Sequence, residues 1–192
     1  MLPHLGNPLH SRPYLPSALP GSLAFSRELL KTFAAVPVGQ RVLVVNDSPN
    51  GDAEALLQLG FNVEVLPTEG AQDNIQNRLI ALSPDDSRWR VLNSNHELTS
   101  ERYHWVIYQM PDAGDVKPVD DLSLYRESLH SGGWIYLRCP LGEANAKATY
   151  SPRLLQHWVQ DANLAEASAP WHVSDENELH AIYRRVDEDT PA

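Results

Sequence analysis

Between Arg41 and Cys139 the chain alternates short apolar runs with segments of helical spacing, and that alternation leaves few folds open to it. Arg41-Val-Leu-Val-Val45 is short and rich in β-branched residues, so it reads as a buried strand. Asn46 to Asp52 is a loop of turn-formers, and Ala53 to Leu59 is helical in composition and stops at Gly60. Phe61 to Leu66 is a second strand. Ala71 to Leu82 is a helix with Ile75, Leu79 and Leu82 on one side. After the turn Ser83-Pro-Asp-Asp86 come strands at Trp89 to Leu92 and Tyr103 to Gln109, the latter ending at Met110-Pro111. Val119 to Leu129 is a helix that Gly132-Gly133 ends, and Trp134 to Leu137 is the next strand. Strand, helix, strand, helix is the signature of an α/β, doubly wound, mostly parallel sheet with helices on both faces. Ser151 caps a helix over Pro152 to Ala162, with proline at its first position. Trp171 to Ser174 and Leu179 to Arg185 then close the chain as an antiparallel pair, which makes the sheet mixed.

The ends read differently. Residues 1–20 hold Pro3, Pro8, Pro13, Pro16 and Pro20, which favour an extended arm over helix or central strand. Its apolar residues Leu2, Leu5, Leu9, Tyr14, Leu15 and Leu19 imply that it lies against its own domain or serves as a homodimer or partner contact. Ser22 caps a helix running to about Ala35, with Leu23, Leu29, Leu30 and Phe33 as its apolar stripe. The α/β domain therefore spans 21–186, and 187–192 form an acidic tail.

At 192 residues and 42% hydrophobic content the chain can bury one core. It has no apolar run near the ~20 residues of a membrane span, and no basic start followed by an apolar stretch that would mark a secretory signal. Cys139 is the one cysteine, which excludes an internal disulfide and fits a cytoplasmic location. The formal charge of −10 gives no general attraction to phosphate backbones, although a local basic face remains open. Arg78, Arg88, Arg90 and Arg102 are interleaved with Trp89, an arrangement that can contact phosphates and stack a base. Alternation sets Arg88 and Arg90 on one face and Trp89 on the other, so a solvated edge strand over a buried Trp89 is the simpler expectation.

Other chemistry is thin. There is no phosphate-binding P-loop and no Gly-x-Ser-x-Gly elbow, and no histidine stands at metal-ligand spacing from a cysteine or carboxylate. His96 and His104 flank the presumed ligand end of the sheet as candidate bases, with surface histidine the plainer reading of each. Ligands of such sheets bind beyond the carboxyl ends of the strands, where the strand order reverses. The loop after the first strand is therefore the first candidate site. A glycine-rich loop there would admit a cofactor closely, but this loop keeps only Gly51. Asn46 and Asn50 can adopt left-handed conformations, but their side chains occupy space that glycine would leave free. Asp52 is expected to cap the following helix.

The first strand with its loop, the Gly60-Phe61 approach to the second strand, the Tyr103 to Pro111 strand end and Leu129-His-Ser-Gly-Gly-Trp-Ile-Tyr-Leu137 fall in a recognisable order. In that order the chain resembles the class I S-adenosylmethionine (SAM) dependent methyltransferases, a Rossmann-like fold, over roughly residues 22–186. Val44-Val-Asn-Asp-Ser48, Asp73-Asn-Ile-Gln-Asn77, Trp89-Arg-Val-Leu-Asn-Ser94 and Val106-Ile-Tyr-Gln-Met-Pro111 most resemble the N-terminal domain of the bacterial ribosomal RNA guanine-N2 methyltransferases. That likeness implies a degenerate methyltransferase domain that does not bind SAM and helps to position RNA. The catalytic second domain of that family has no counterpart in this sequence.

The resemblance also assigns positions. Cofactor contacts fall on Asn46, Asp47, Ser48, Asn50 and Gly51 in the first loop, and on Asn93 and Ser94 beside the adenine. The acidic residue that holds the ribose hydroxyls falls on Pro67, with Glu69 two residues later as its substitute. Amino-methylating relatives place an Asn-Pro-Pro type sequence where this chain has Gln109-Met-Pro111, so Gln109 and Pro111 are the catalytic candidates. Gln109 carries its amide one methylene further out, a displacement that matters where reacting atoms need near-attack geometry. Pro111 as a mere strand terminator is the structural alternative. Three functions follow: a non-catalytic module binding RNA or a protein partner, an active methyltransferase using SAM with an atypical loop, or a scaffold that dimerises through the arm.

Overall fold

The computed structural model describes residues 27–46, 51–84, 87–111, 119–141, 150–175 and 177–187. The proline-rich arm, Ser22, most of the first loop (47–50) and residues 188–192 lie outside these described residues. In chain order the elements are α1 (Arg27–Phe33), β1 (Arg41–Val45), α2 (Asp52–Gln58), β2 (Asn62–Leu66), α3 (Gln72–Leu82) and β3 (Trp89–Val91). After a single 3-10 turn at Asn95–Glu97 come β4 (Tyr103–Gln109), α4 (Val119–Ser128), β5 (Leu129–Pro140), α5 (Pro152–Asp161), β6 (Leu164–Val173) and β7 (Glu178–Arg185).

One seven-stranded sheet runs β3-β2-β1-β4-β5-β7-β6. The first five strands pair in parallel, and β7 joins β5 and β6 antiparallel. The expected mixed sheet is what the sequence folds into. Strand alternation splits the core in two. Val42 and Val44 of β1, Val63 and Val65 of β2 and Ile107 of β4 pack with Leu29, Phe33, Leu56, Leu57, Ile75 and Leu79 of α1, α2 and α3. Leu43, Val45, Val106, Ile135 and Leu137 face Leu122 and Tyr125 of α4 and Leu155 and Val159 of α5. Each such side chain taken fully out of water stabilises the fold by about 1.5–3 kcal/mol before entropy is counted.

Three local expectations are corrected. Gly132-Gly133 does not precede the fifth strand but lies inside it, because β5 already begins at Leu129. Between the pairs Tyr103–Leu129 and Trp105–Trp134 the register shifts, and the glycines let β5 make that irregularity against β4. β6 starts at Leu164, seven residues before the expected Trp171, because polar, half-exposed side chains suffice for an edge strand. Asp52 does not cap α2: Gly51, at φ 80°, is the N-cap, and Asp52 is the first helical residue with its side chain turned inward. Ser151 caps α5 as expected, its hydroxyl accepting from the Leu154 amide at 3.3 Å.

The crossover from β3 to β4 is the one without an α-helix. The strand face beneath it carries Asn62, Glu64 and Arg90 at its amino end, where a helix would demand apolar side chains. Trp89 points the other way and packs half-buried against the α1–α3 core, while Arg88 and Arg90 are exposed. Among the described residues no helix is long and apolar enough to cross a membrane.

Candidate functional site

Strand order reverses between β1 and β4, so their carboxyl ends form the crevice at which ligands of doubly wound sheets bind. Asn46 leaves β1 in the left-handed region at φ 55°, which asparagine tolerates better than most residues. Its amide N–H donates to the Leu66 carbonyl of β2 at 2.9 Å, and its side-chain nitrogen donates to the Gln109 carbonyl of β4 at 3.1 Å. Asn46 therefore ties together the ends of β2 and β4 on either side of its own strand. Asp47, Ser48 and Asn50 lie outside the described residues, and Gly51 opens α2.

Gln109 sends its side-chain Nε2 to Glu178 Oε1 at 3.1 Å, and its Oε1 is buried without a hydrogen-bond partner among the described residues. The Pro111 carbonyl accepts the Tyr150 hydroxyl at 2.6 Å. At the end of β3, Asn93 gives both its backbone N–H (2.8 Å) and its side-chain amide (3.0 Å) to Glu97 Oε1. Those hydrogen bonds, with Arg90 alongside, hold the Glu97 carboxyl below its usual range. Ser94 is extended and heads the 3-10 turn. Pro67 is buried, whereas Glu69 is exposed just before the turn at Gly70, whose φ is 81°. The crevice thus brings Asn46 and Gln109 together, while Asn93 and Ser94 stand at the far edge of the sheet.

A buried ionic cluster lies under this end of the sheet, and sequence reasoning passed over it. Arg138 of β5 is 1% exposed and holds Asp52 of α2 through NH1 at 2.5 Å and Glu178 of β7 through Nε at 2.9 Å. His180, fully buried, bridges Glu178 at 3.0 Å and the Tyr136 hydroxyl at 2.7 Å. Burial alone would raise the Glu178 carboxyl, but the His180 hydrogen bond and the Arg138 charge outweigh it and hold it below its ordinary range. The available signal was an arginine inside the apolar run Trp-Ile-Tyr-Leu-Arg-Cys, because a charge there has to be paired. Burial raises the neighbouring Cys139 thiol far above its ordinary value, which makes it an inert core group.

His104 does not flank the crevice. It is the second residue of β4, at the opposite end of the sheet, where its Nδ1 accepts the Arg41 amide at 3.2 Å and its ring meets that of His130 at 4.7 Å. Burial, followed by the nearby His130 and Arg41, lowers its pKa. His96 sits in the 3-10 turn after β3, at the ligand end. Among the described residues no three histidine, cysteine or carboxylate side chains are grouped to hold a metal.

No protein-family profile and no curated protein sequence matches the chain. Solved structures do match it in fold. A SAM-dependent methyltransferase from Aquifex aeolicus superposes with a TM-score of 0.68 at 14% identity, over 83% of this chain and 88% of that one. The 1,6-didemethyltoxoflavin-N1-methyltransferase of Burkholderia thailandensis, solved with bound 1,6-didemethyltoxoflavin and S-adenosylhomocysteine, gives 0.67 at 14% identity over 84% and 78%. The 16S rRNA (adenine(1408)-N(1))-methyltransferase of Catenulisporales acidiphilia gives 0.61 at 14% identity over 83% and 90%. The chain therefore has the fold of the SAM-dependent methyltransferases, and identities this low speak to fold alone.

Proposed function

We propose that this protein is a methyltransferase-fold module that has lost SAM binding and acts in the cytoplasm by binding a partner, not by methyl transfer. The observation that carries this reading is that, among the described residues, most polar groups at the expected cofactor and substrate positions bond within the protein, Gln109 Oε1 excepted. The carbonyl of Pro111 holds the Tyr150 hydroxyl, the Gln109 amide holds Glu178, and both donors of Asn93 lie on Glu97. In an amino-methylating site the first two positions would accept hydrogen bonds from the target nitrogen. Here a substrate amine would compete with the Tyr150 hydroxyl for the Pro111 carbonyl, at about 0.5–1.5 kcal/mol for the hydrogen bond lost, and Gln109 Oε1 is turned into a buried position beside the amide that Glu178 holds.

The residues present fit SAM poorly for a second reason. By the resemblance, the carboxylate that would bind the ribose hydroxyls is replaced by Pro67, which is buried. Losing such a charged acceptor costs about 1.5–3 kcal/mol, or about tenfold to a hundredfold in affinity. The likeness to the N-terminal domain of ribosomal RNA guanine-N2 methyltransferases supports the same conclusion, since that domain is understood not to bind SAM. Glu69 favours the competing reading of an active enzyme, as an exposed carboxylate two residues past the ribose position.

Isothermal calorimetry of the full chain with SAM decides between the two. We expect no binding at micromolar ligand. Micromolar binding would overturn the proposal, and its loss in Glu69→Ala would then assign the ribose contact to Glu69.

A further inference from the structure

Arg184 of β7 makes no ion pair and no hydrogen bond among the described residues, yet its guanidinium is held on two sides. Its Cζ lies 5.7 Å from the centre of the Trp134 ring, which itself stacks on Trp105 at 5.6 Å and 15° between planes. On another side stands Gly132, where a Cβ would meet the guanidinium Nη2 at 2.8 Å and Nε at 3.3 Å. The missing side chain of Gly132 is what gives the guanidinium its room. A cation placed over an aromatic ring is oriented without spending its N–H donors, so they stay available to an anion.

The guanidinium borders a hollow of about 380 Å³ at the amino ends of β5 and β6 and the carboxyl end of β7. That volume lies within the range of small-molecule sites. Trp134, Ala165, Ala167 and Val186 supply apolar walls, and the two alanines leave open the width that larger side chains would fill. The other charges at the rim are committed elsewhere. Arg185 pairs with Asp187 at 2.9 Å and with Glu101 at 3.3 Å, and Asp187 also accepts the Ser131 hydroxyl. Glu166 stands opposite Tyr183, whose ring belongs to the core under α4 and α5. Arg184 stands opposite Ala165, so alternation sets Glu166 and Arg184 on different faces of the sheet. The hollow therefore combines apolar walls with a single uncommitted positive charge.

We infer that this hollow binds a small organic monocarboxylate with an apolar body. A carboxylate is planar and accepts two parallel N–H bonds from one guanidinium, while the apolar body covers Trp134 and the alanines. Phosphate is the poorer match, because its second negative charge would find Asp187 and Glu166 at the rim and no second free cation. The hollow lies at the opposite end of the sheet from the crevice, so this inference goes beyond the proposed function and stands whether or not SAM binds.

The test is an NMR titration of the full chain with phenylacetate as the probe, phenylacetamide as its uncharged counterpart, and inorganic phosphate. Phenylacetate is expected to bind saturably at low millimolar concentration, the affinity about ten non-hydrogen atoms can supply in an open site. The shifts should centre on the amides of Gly132, Ala165 and Ala167 and on the Trp134 indole N–H. Replacing phenylacetate by its amide, or Arg184→Gln, should each weaken binding at least about tenfold, as loss of a charge-assisted hydrogen bond requires. Ala165→Leu, which fills the hollow and keeps the guanidinium, should weaken it by a similar factor. Arg27→Gln, at an exposed site on α1, should leave affinity within about twofold. Failure of phenylacetate to saturate by ~20 mM would overturn the inference. So would equal binding of the amide or of phosphate, shifts centred on Asn46 and Gln109, or an Arg184→Gln protein that binds like the wild type. The comparison of acid with amide uses the unaltered chain, so it decides the matter even where a variant loses its fold.

Discussion

Arg138 is the side chain on which most depends at the residue scale. A guanidinium 1% exposed is tolerable only because Asp52 and Glu178 lie within 2.5 and 2.9 Å of it. Its pairing joins three elements distant in sequence: the start of α2, the carboxyl end of β5 and the start of β7. Arg138→Ala would leave buried Asp52 and partly buried Glu178 without the cation between them, and we expect it to destabilise the fold by about 3–5 kcal/mol near pH 7 in urea titrations. The pH dependence carries the sign. In the wild type Glu178 is held below its ordinary range, so its contribution is complete above the unfolded-state value and is lost as pH falls through the folded one. In the variant the cost is that of buried negative charge, and protonation relieves it. The gap between the two proteins should therefore narrow on acidification. A gap of constant size from neutral to acid pH would mean that lost packing, not charge, sets the cost.

Element by element, the order was legible because each parallel strand announces itself as a β-branched run and each helix by its stripe. The candidate site was legible by position only. Asn46 and Gln109 do meet at the switch point, but Glu178, which holds Gln109, and Tyr150, which holds Pro111, come from segments some forty to seventy residues away, a separation that local patterning does not encode. The glycine pair shows the same limit. Gly132-Gly133 reads as a turn because glycine punctuates helices, yet it serves a strand irregularity. In the fold, residues 130–133 of β5 lie against the single residue His104 of β4. A Cβ at Gly133 would meet the His130 carbonyl at 2.9 Å and the His104 carbonyl at 3.2 Å, both rigid backbone atoms. Gly133→Ala should therefore cost about 1–3 kcal/mol, lowering the melting temperature by about 2–4 °C for each kcal/mol. At Gly132 the nearest atoms belong to the flexible end of Arg184, so the cost of alanine there is chiefly that of its φ of +67°. A Gly133→Ala protein that melts like the wild type would show that β5 can shift away from β4.

Taken whole, the sheet is strongest at its middle, which is also where its two ends differ in chemistry. The carboxyl end is closed by internal hydrogen bonds and a buried ionic cluster, while the amino end of β1 to β3 presents exposed arginines. Among the described residues the Gln109 amide, the Pro111 carbonyl and the Asn46 amide all bond within the protein, so these contacts need no ligand to hold them. Stability should then follow strand position alone. β1 and β4 have a hydrogen-bonded neighbour on each side, and four of the five residues of β1 are buried. β3 and β6 are the edges, and both are blunted: β3 spans three residues and carries exposed Arg90, and β6 holds Pro170 and two register shifts against β7. Native-state hydrogen exchange should accordingly find the amides of β1, β4 and the inner half of β5 opening only with global unfolding. Those of β3 and β6 should exchange faster through local fraying, by at least about 2 kcal/mol in opening free energy, roughly thirtyfold in rate. On the proposed loss of SAM binding, adding SAM should change none of these values, since only a ligand that binds the native state can stabilise it. Uniform protection across all seven strands would contradict the edge argument, and a SAM-dependent slowing confined to β1 and β4 would contradict the closed crevice.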